Sequence, residues 1–189
     1  MIHREYCEII SRTLNDKKVY LSPLSGCINL YVDWINNFEV SSMLGRANRV
    51  TTEADQVEFV AHCKGKPYFD INYGGNGSIT KIGVCSIVVI DEITRHAVIG
   101  IHIGSKDYRG LGIGSAAVDM LMEFAFKRMN LESLSLTVVE DNKEAIKCYE
   151  RCGFKRQGIQ RNRAYVNGVY KNLIYMDITK EEYFTKENK

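Results

Sequence analysis

Apolar positions along the chain follow helical spacing in some segments and extended spacing in others, and the changes mark the predicted elements. The first third repeats apolar residues about one helical turn apart and predicts one helix over residues 28–43. The residues on this spacing are Leu30, Trp34, Ile35 and Phe38. Thr52, with an acid three residues later, predicts a second, capped helix. Residues 19–24 predict a short strand, and residues 1–18 before it predict a helical or frayed leader.

The rest of the chain is mostly extended, with two helical segments between strands. The predicted strands cover residues 68–73, 81–91, 97–103, 133–139, 154–157 and 170–178, and the predicted helices cover residues 115–129 and 142–152. A glycine-rich cluster at residues 74–78 predicts a hairpin between the first two of these strands. Gly153 follows the last helix and readily takes the left-handed conformation that ends one. This order predicts an α+β domain built on a mixed sheet.

Length and composition favour one globular domain. A chain of 189 residues suits a single core, which we place at residues 19–180, between the leader and a polar tail at residues 181–189. With 45% hydrophobic residues and a net charge of +2, the chain differs in composition from disordered proteins and from strongly basic nucleic-acid binders. It has no run of about 18 apolar residues, so no membrane span is predicted.

The cysteines and the N-terminus predict a cytoplasmic protein. None of the six cysteines forms a CxxC pair, which favours reduced thiols. Cys148 and Cys152 share a helical face, but no histidine lies nearby to complete a zinc site, so no metal is expected. The first ten residues include acids and lack the apolar stretch of a secretory signal.

The most informative segment for chemistry is a glycine-rich loop that leads into a helix. It consists of Arg109, Gly110, Leu111, Gly112, Ile113, Gly114 and Ser115. Glycines leave backbone N–H groups accessible, and the amino end of a helix adds a partial positive charge. Such a loop predicts a binding site for a phosphate or pyrophosphate group.

A dinucleotide-binding oxidoreductase is one interpretation of this loop. Gly112, Gly114 and Ala117 satisfy a GxGxxA pattern, and Glu140 ends the next strand, where a ribose-binding acid would lie. However, five polar residues separate the preceding strand from the first glycine, whereas the dinucleotide turn is tight. The chain after the loop is also too short for a second nucleotide-binding half. Both observations disfavour this interpretation.

Two motifs together resemble the GNAT superfamily of N-acetyltransferases. The loop from Arg109 to Gly114 is similar to that family's R/Q-x-x-G-x-G/A signature, and residues 142–154 are similar to its N-x-x-A-i-x-x-Y-e-k-x-G-F signature. Residues 19–24 and 166–172 resemble the RimJ/RimL-like, or spermidine acetyltransferase-like, branch of the family.

The resemblance implies a single-domain fold whose mostly antiparallel central sheet is splayed at an acetyl-CoA site and flanked by helices. It implies direct transfer of an acetyl group to a primary amine, such as a protein N-terminus, a polyamine or an amino sugar. Homodimers are common for such folds. The alternative of another class is a CoA-binding module that does not catalyse.

The resemblance also assigns roles to residues on three elements. Backbone groups of the strand that ends at Ile103 and Gly104 would bind the pantetheine arm by strand-like hydrogen bonds. The glycine-rich loop would bind the pyrophosphate. Asn142 would approach the pantetheine from the next helix, and Ala145 would leave room for it. Tyr149 matches the family's general acid, and an unperturbed tyrosine is protonated at neutral pH.

The general base is harder to assign. Many relatives carry an acid where this chain has Val98, and His102 shares a strand face with Val98. An imidazole with a pKa near 6.5 can accept a proton at neutral pH, so His102 is the predicted base. His96 and Glu140 are the weaker alternatives.

Overall fold

The computed structural model describes residues 8–75 and 78–187. In these parts of the chain the strands are β1 (Ile10–Leu14), β2 (Lys17–Pro23), β3 (Tyr68–Gly75), β4 (Ser78–Asp91), β5 (His96–Ile103), β6 (Ser133–Val139), β7 (Lys155–Val166) and β8 (Val169–Thr179). The helices are α1 (Ile28–Asn36), α2 (Phe38–Met43), α3 (Glu53–His62), α4 (Ile113–Glu123), α5 (Lys143–Cys152) and α6 (Lys180–Glu187). A 3₁₀ turn, Lys106–Tyr108, precedes α4, and a π-helical turn, Phe124–Arg128, extends it. None of these helices is long and apolar enough to cross a membrane.

All eight strands form one sheet in the order β1-β2-β3-β4-β5-β6-β8-β7. Only the central β5–β6 pair is parallel, and every other neighbouring pair is antiparallel. The β5–β6 ladder ends at the pair Val98↔Ser135, although β5 continues along β4 to Ile103. The predicted mixed, mostly antiparallel and splayed sheet is therefore confirmed.

Strand alternation assigns the helices to opposite faces of the sheet. On β3, Phe69 packs against Phe124 just after α4, with ring centroids 5.2 Å apart. The next residue, Asp70, accepts a hydrogen bond of 2.7 Å from Tyr31 Oη on α1. Successive side chains of a strand point to opposite faces, so α1 and α4 lie on different sides. The main core lies on the α4 side and includes Ile71, Ala97, Val118, Leu121, Leu134 and Ile146.

The helical prediction for the N-terminal leader is wrong in the described part. Residues 10–14 form β1, which pairs with β2 through a tight turn at Asn15 and Asp16. Since β2 begins at Lys17, a boundary at residue 18 would divide this strand. At the other end, residues 181–187 of the expected tail belong to α6, whose Tyr183 is buried.

The single helix predicted over residues 28–43 is two helices. Asn37 has an extended ψ of 122°, and its side chain accepts a hydrogen bond from the N–H of Val40, so it ends α1 and caps α2. The predicted capping box at Thr52 and Asp55 is confirmed, as is the left-handed Gly153 after α5. Two residues of the glycine-rich hairpin, Asn76 and Gly77, lie outside the described residues.

A buried ion pair between β3 and β4 provides the carboxylate to which Tyr31 of α1 is hydrogen-bonded. Lys81 Nζ lies 2.8 Å from Asp70 Oδ2, and the Asp70 side chain has no exposed surface. The backbone N–H of Ser25 donates to the same carboxylate at 3.0 Å. Burial, followed by the negative charge of Asp70, raises the pKa of Tyr31 to about 12. Tyr31 therefore remains a hydrogen-bond donor at any physiological pH.

We predict that Lys81→Met lowers the free energy of unfolding by about 3–5 kcal/mol, because it leaves a buried carboxylate without its cation. Urea denaturation measures this loss. Lys64→Met, at an exposed lysine, is the control. Replacing the partner as well, in Asp70→Asn/Lys81→Met, is expected to restore part of the stability. A loss below about 1 kcal/mol for Lys81→Met would mean that the pair is not a structural anchor.

Candidate functional site

The separation of β5 from β6 opens a cleft of about 880 Å³ through the middle of the sheet. Its walls come from the open parts of β5 and β6, the end of α2, the amino end of α4 and one side of α5. The cleft thus joins the two faces of the sheet at the point where the strands diverge.

The open edge of β5 presents backbone groups to this cleft. The N–H of Gly104 donates to the carbonyl of Ile82 on β4, at 2.9 Å. Because hydrogen-bonded residues alternate along an antiparallel strand, Ile101 and Ile103 direct their backbone groups away from β4. The Ile103 carbonyl already accepts a hydrogen bond of 3.3 Å from Arg109 Nε. The free edge can pair with an extended, amide-bearing ligand.

The amino end of α4 lies at the same cleft. Gly112 has a left-handed φ of 81° there, and within the described chain no side chain caps this helix end. The first N–H groups of an α-helix have no acceptor within the helix. The first turn of α4 also contains no acidic residue. An anionic group would therefore find both unpaired donors and a favourable helix dipole.

Most residues predicted to bind the cofactor line the cleft. They are Ile103, Arg109, Gly110, Gly112, Gly114, Ser115, Asn142 and Ala145. Asn142 also caps α5, because its side chain accepts a hydrogen bond of 3.2 Å from the N–H of Ala145. Arg109 is held in place by an ion pair with Glu39 of α2, whose Oε1 lies 2.5 Å from Arg109 Nη1.

Three other predicted residues do not line the cleft. At Gly104, an added Cβ would lie 2.0 Å from the ring of Trp34, so this glycine is required for packing against α1, and its N–H is used by β4. Ile113 is only 1% exposed and belongs to the core, and Leu111 is 43% exposed at the surface. Their side chains have no contact with the cleft.

Tyr149 lines the cleft from α5 and is 8% exposed. Its ring packs against Phe154, with centroids 6.0 Å apart. Burial, with smaller electrostatic contributions from Cys148 and Cys152, raises the pKa of Tyr149 above its ordinary value. The phenol is consequently protonated across the physiological range and can donate a hydrogen bond.

His102 lies on β5 where the cleft meets a second cavity. Its imidazole makes an edge contact with the Trp34 ring, with centroids 6.2 Å apart. Burial lowers its pKa from 6.5 to about 4, and the positive charges of Arg46 and Arg109 contribute. His102 is therefore neutral at pH 7, able to accept a proton but weakly basic.

The alternative bases have structural partners instead. Both ring nitrogens of His96 lie 2.9 Å from serine hydroxyls, those of Ser133 and Ser135. Glu140 accepts hydrogen bonds from the backbone and side chain of Asn172, at 2.8 and 3.0 Å. Neither residue lines the cleft.

Sequence reasoning missed three cations on α5. Lys143, Lys147 and Arg151 line the cleft at intervals of four residues, and none has an ion-pair partner among the described residues. This spacing, which places residues on one helix face, was the available signal. Cys148, on the same helix, is half-buried at the cleft and packs against the core, with its Sγ 3.2 Å from Ser115 Oγ.

Comparison with models of known protein families identifies the family to which this chain belongs. The model of the acetyltransferase (GNAT) family matches residues 26–154, more than half of the chain. The chain belongs to the GNAT acetyltransferase family. The mostly antiparallel sheet also excludes the dinucleotide-binding fold, whose strands run mostly parallel.

The GNAT chain is similar to several curated and solved relatives. It is 33% identical over 106 residues to spermidine N(1)-acetyltransferase of Escherichia coli (strain K12), covering 56% of each chain. It is 32% identical over 77 residues to the L-amino acid N-acetyltransferase AaaT of the same organism, covering 41% of this chain and 47% of AaaT. These alignments span about half the length of each relative.

A solved structure extends the similarity to the whole GNAT fold. The spermidine N-acetyltransferase from Vibrio cholerae, in complex with CoA and spermine, superposes with a TM-score of 0.78 at 21% identity. The match covers 88% of this chain and 98% of that chain. At this identity the likeness establishes the fold.

We predict that His102 makes the protein less stable in mild acid. Below pH 6.5 the unfolded chain binds a proton at this imidazole, whereas the folded protein does not until about pH 4. The free energy of unfolding therefore falls through this window, by about 1–2 kcal/mol between pH 7 and pH 5. His102→Gln is expected to reduce that fall in urea denaturation, and His62→Gln, at an exposed histidine, is expected to keep it. Equal pH dependence in the wild type and His102→Gln would contradict the buried, neutral imidazole.

Proposed function

We propose that this protein transfers an acetyl group from acetyl-CoA directly to a primary amine. The observation that carries the proposal is the cleft itself. It combines an open strand edge, an uncapped helix end and a buried tyrosine within one channel through the sheet. When bound, acetyl-CoA supplies the reactive thioester, and the residues of this chain bind it, orient it and stabilise the departing thiolate.

The cleft has groups suited to each part of the cofactor. The amino end of α4 and the cations of α5, Lys143, Lys147 and Arg151, suit the phosphates. The backbone groups of Ile101 and Ile103 suit the amides of the pantetheine arm. Gly114 has no Cβ to obstruct an approach to the helix end. The residues present therefore fit the cofactor that the fold implies.

Tyr149 is the proposed acid, acting as a hydrogen-bond donor. A thiol has an ordinary pKa near 8.5, whereas the pKa of Tyr149 is raised above 10. Full proton transfer from tyrosine to the departing thiolate is therefore unfavourable. A hydrogen bond that stabilises the developing negative charge is favourable, and it strengthens as the charge forms.

His102 is the proposed base, directly or through a water, and its low pKa restricts the acceptor. An alkyl amine with a pKa near 10.4 must lose its proton at a cost of about 4.6 kcal/mol at pH 7, whereas a peptide α-amine costs about 1.1 kcal/mol. A weak base suits the second class. We therefore propose that peptide α-amines and amino sugars react faster than polyamines. The relatives' names, which include spermidine and L-amino acid acetyltransferases, do not decide this point.

The cytoplasmic location and the homodimer stay predictions. The outer strand of the sheet, β7, is exposed along nearly its whole length, which leaves an edge available for self-association.

We predict that Gly114→Ala weakens CoA binding about tenfold or more, equivalent to losing one charge-assisted hydrogen bond. The new Cβ would lie 3.8 Å from Cys148 Sγ, an ordinary contact, so the fold should tolerate it. Calorimetric titration with CoA is the measurement. Gly158→Ala, on β7 with open space around it, is the matched control. Unchanged CoA affinity in a folded Gly114→Ala variant would refute a cofactor site at this helix end.

We predict that Tyr149→Phe lowers kcat about tenfold to a hundredfold with little change in acetyl-CoA affinity. The lost hydroxyl acts mainly as charge develops on sulfur, and one charge-assisted hydrogen bond accounts for this range. Steady-state kinetics with a fixed amine provide the test. Tyr183→Phe, at a buried tyrosine outside the cleft, is expected to keep wild-type kcat. A wild-type kcat in Tyr149→Phe would mean that the tyrosine only contributes to packing. Absence of turnover in the wild type as well as in the variants would favour the non-catalytic CoA-binding module.

A further inference from the structure

A second cavity of about 600 Å³ lies on the α1 side of the sheet. It is enclosed by α1, α3, β4, β5 and the loop of residues 44–51. Leu44, Gly100, Ile101 and His102 line both this cavity and the cleft. A molecule in the second cavity can therefore reach the open edge of β5 and the imidazole of His102, which is the position that an acceptor requires.

Two arginines of the 44–51 loop, Arg46 and Arg49, line this cavity. Within residues 8–75 and 78–187, neither guanidinium has an ion-pair partner or a side-chain hydrogen bond. Both arginines are exposed to solvent, and the pKa of Arg46 is lowered by partial burial and, secondarily, by the positive charge of Arg49. Two like charges without ion-pair partners repel each other, and an anion between them would relieve the repulsion.

The loop that carries these arginines is held in place by its own hydrogen bonds. The N–H of Arg46 donates to Ser41 O at 2.8 Å, and the N–H of Arg49 donates to Arg46 O at 2.9 Å. Asn36 of α1 pairs with Thr51 in both directions, at 2.8 and 2.9 Å. The guanidiniums therefore extend from a fixed backbone, which reduces the entropy lost when they bind an anion.

The other groups in the cavity cancel at most part of this positive charge. Asp55 is the one carboxylate among the described lining residues, and it accepts hydrogen bonds from the N–H and the hydroxyl of Thr52, at 2.8 and 2.7 Å, so its single negative charge offsets at most one of the two arginines. The remaining walls are largely aromatic or aliphatic, including Tyr31, Phe59 and Tyr68. The cavity thus combines a largely apolar wall with two unpaired cations, which suits an acceptor with an anionic end.

We propose that Arg46 and Arg49 of the second cavity bind a carboxylate or phosphate carried by the amine acceptor. This proposal rests on the acetyltransferase function proposed above. It makes amino acids, peptides with a free carboxylate and phosphorylated amino sugars the favoured class. A polyamine brings only positive charge to these arginines and is disfavoured.

Pairs of acceptors that differ only in the anion test this proposal. One pair is a dipeptide with a free carboxyl end and the same dipeptide amidated there, whose α-amines have similar pKa values near 8. The other pair is glucosamine and glucosamine 6-phosphate, which separates a phosphate from a carboxylate. In the wild type we expect the anionic member of at least one pair to have a kcat/KM about tenfold higher or more. Spermidine is measured alongside them.

Arginine variants then connect the preference to the cavity. Arg46→Gln and Arg46→Gln/Arg49→Gln are expected to reduce the ratio of anionic to neutral acceptor toward one. Arg46→Lys, which keeps the charge and loses the two-pronged donor, should give an intermediate ratio. Arg161→Gln, at an exposed arginine on β7 outside both cavities, is the matched control and should keep the wild-type ratio.

Calorimetric binding of the same pairs to the CoA-bound protein separates failure of this inference from failure of the function. Acetylation of amines without any preference for the anion, or with a preference that Arg46→Gln keeps, would overturn the arginine site and leave the function intact. If no amine is acetylated, the function fails. In that case, tighter binding of the anionic member, lost in Arg46→Gln, would still support the arginine site, and equal binding would overturn it.

Discussion

The divergence of β5 from β6 is the constraint on which the rest of this molecule depends. Three parallel pairs join the strands, and beyond Val98 each strand remains paired only with its antiparallel neighbour. Unpaired backbone groups inside a protein are costly unless something bonds to them. A sheet that is otherwise continuous therefore keeps a row of available donors and acceptors at its centre, next to an uncapped helix end. The same gap connects the two faces, so a cofactor on the α4 side and an acceptor on the α1 side can meet.

His102 lies where the two cavities join, and its charge state depends on both of them. Arg109 is held at the cleft by Glu39 and Ile103, whereas Arg46 belongs to the loop above the second cavity. Both guanidiniums lower the pKa of the imidazole. Burial is the larger cause of the lowered pKa, so an anion bound at Arg46 would oppose only the smaller, electrostatic part of it.

Features fixed by local chemistry could be predicted from sequence, whereas features fixed by distant contacts could not. The capping box at Thr52 and the left-handed cap at Gly153 depend on neighbours within one helical turn. The glycine-rich loop likewise predicts the uncapped amino end of α4. The β1–β2 hairpin had a local signal that was overlooked, since Asn15 and Asp16 both take the positive φ of a tight hairpin turn. No local sequence signal indicates the role of Gly104, because the ring that excludes a side chain there belongs to Trp34 of α1.

In the second cavity, too, the strands that form the scaffold are predictable from sequence, whereas the residues proposed to give specificity are not. Its floor is formed by β4 and β5, whose apolar pattern is common to strands of mixed sheets. Its positive charge comes from the loop of residues 44–51, between α2 and α3. Asn37 breaks the long helix that apolar spacing predicts, and the chain that follows α2 crosses above the sheet with Arg46 and Arg49. Had residues 28–43 formed one helix, the chain would have continued along its axis. The interruption at a single asparagine therefore helps to bring two arginines within reach of His102.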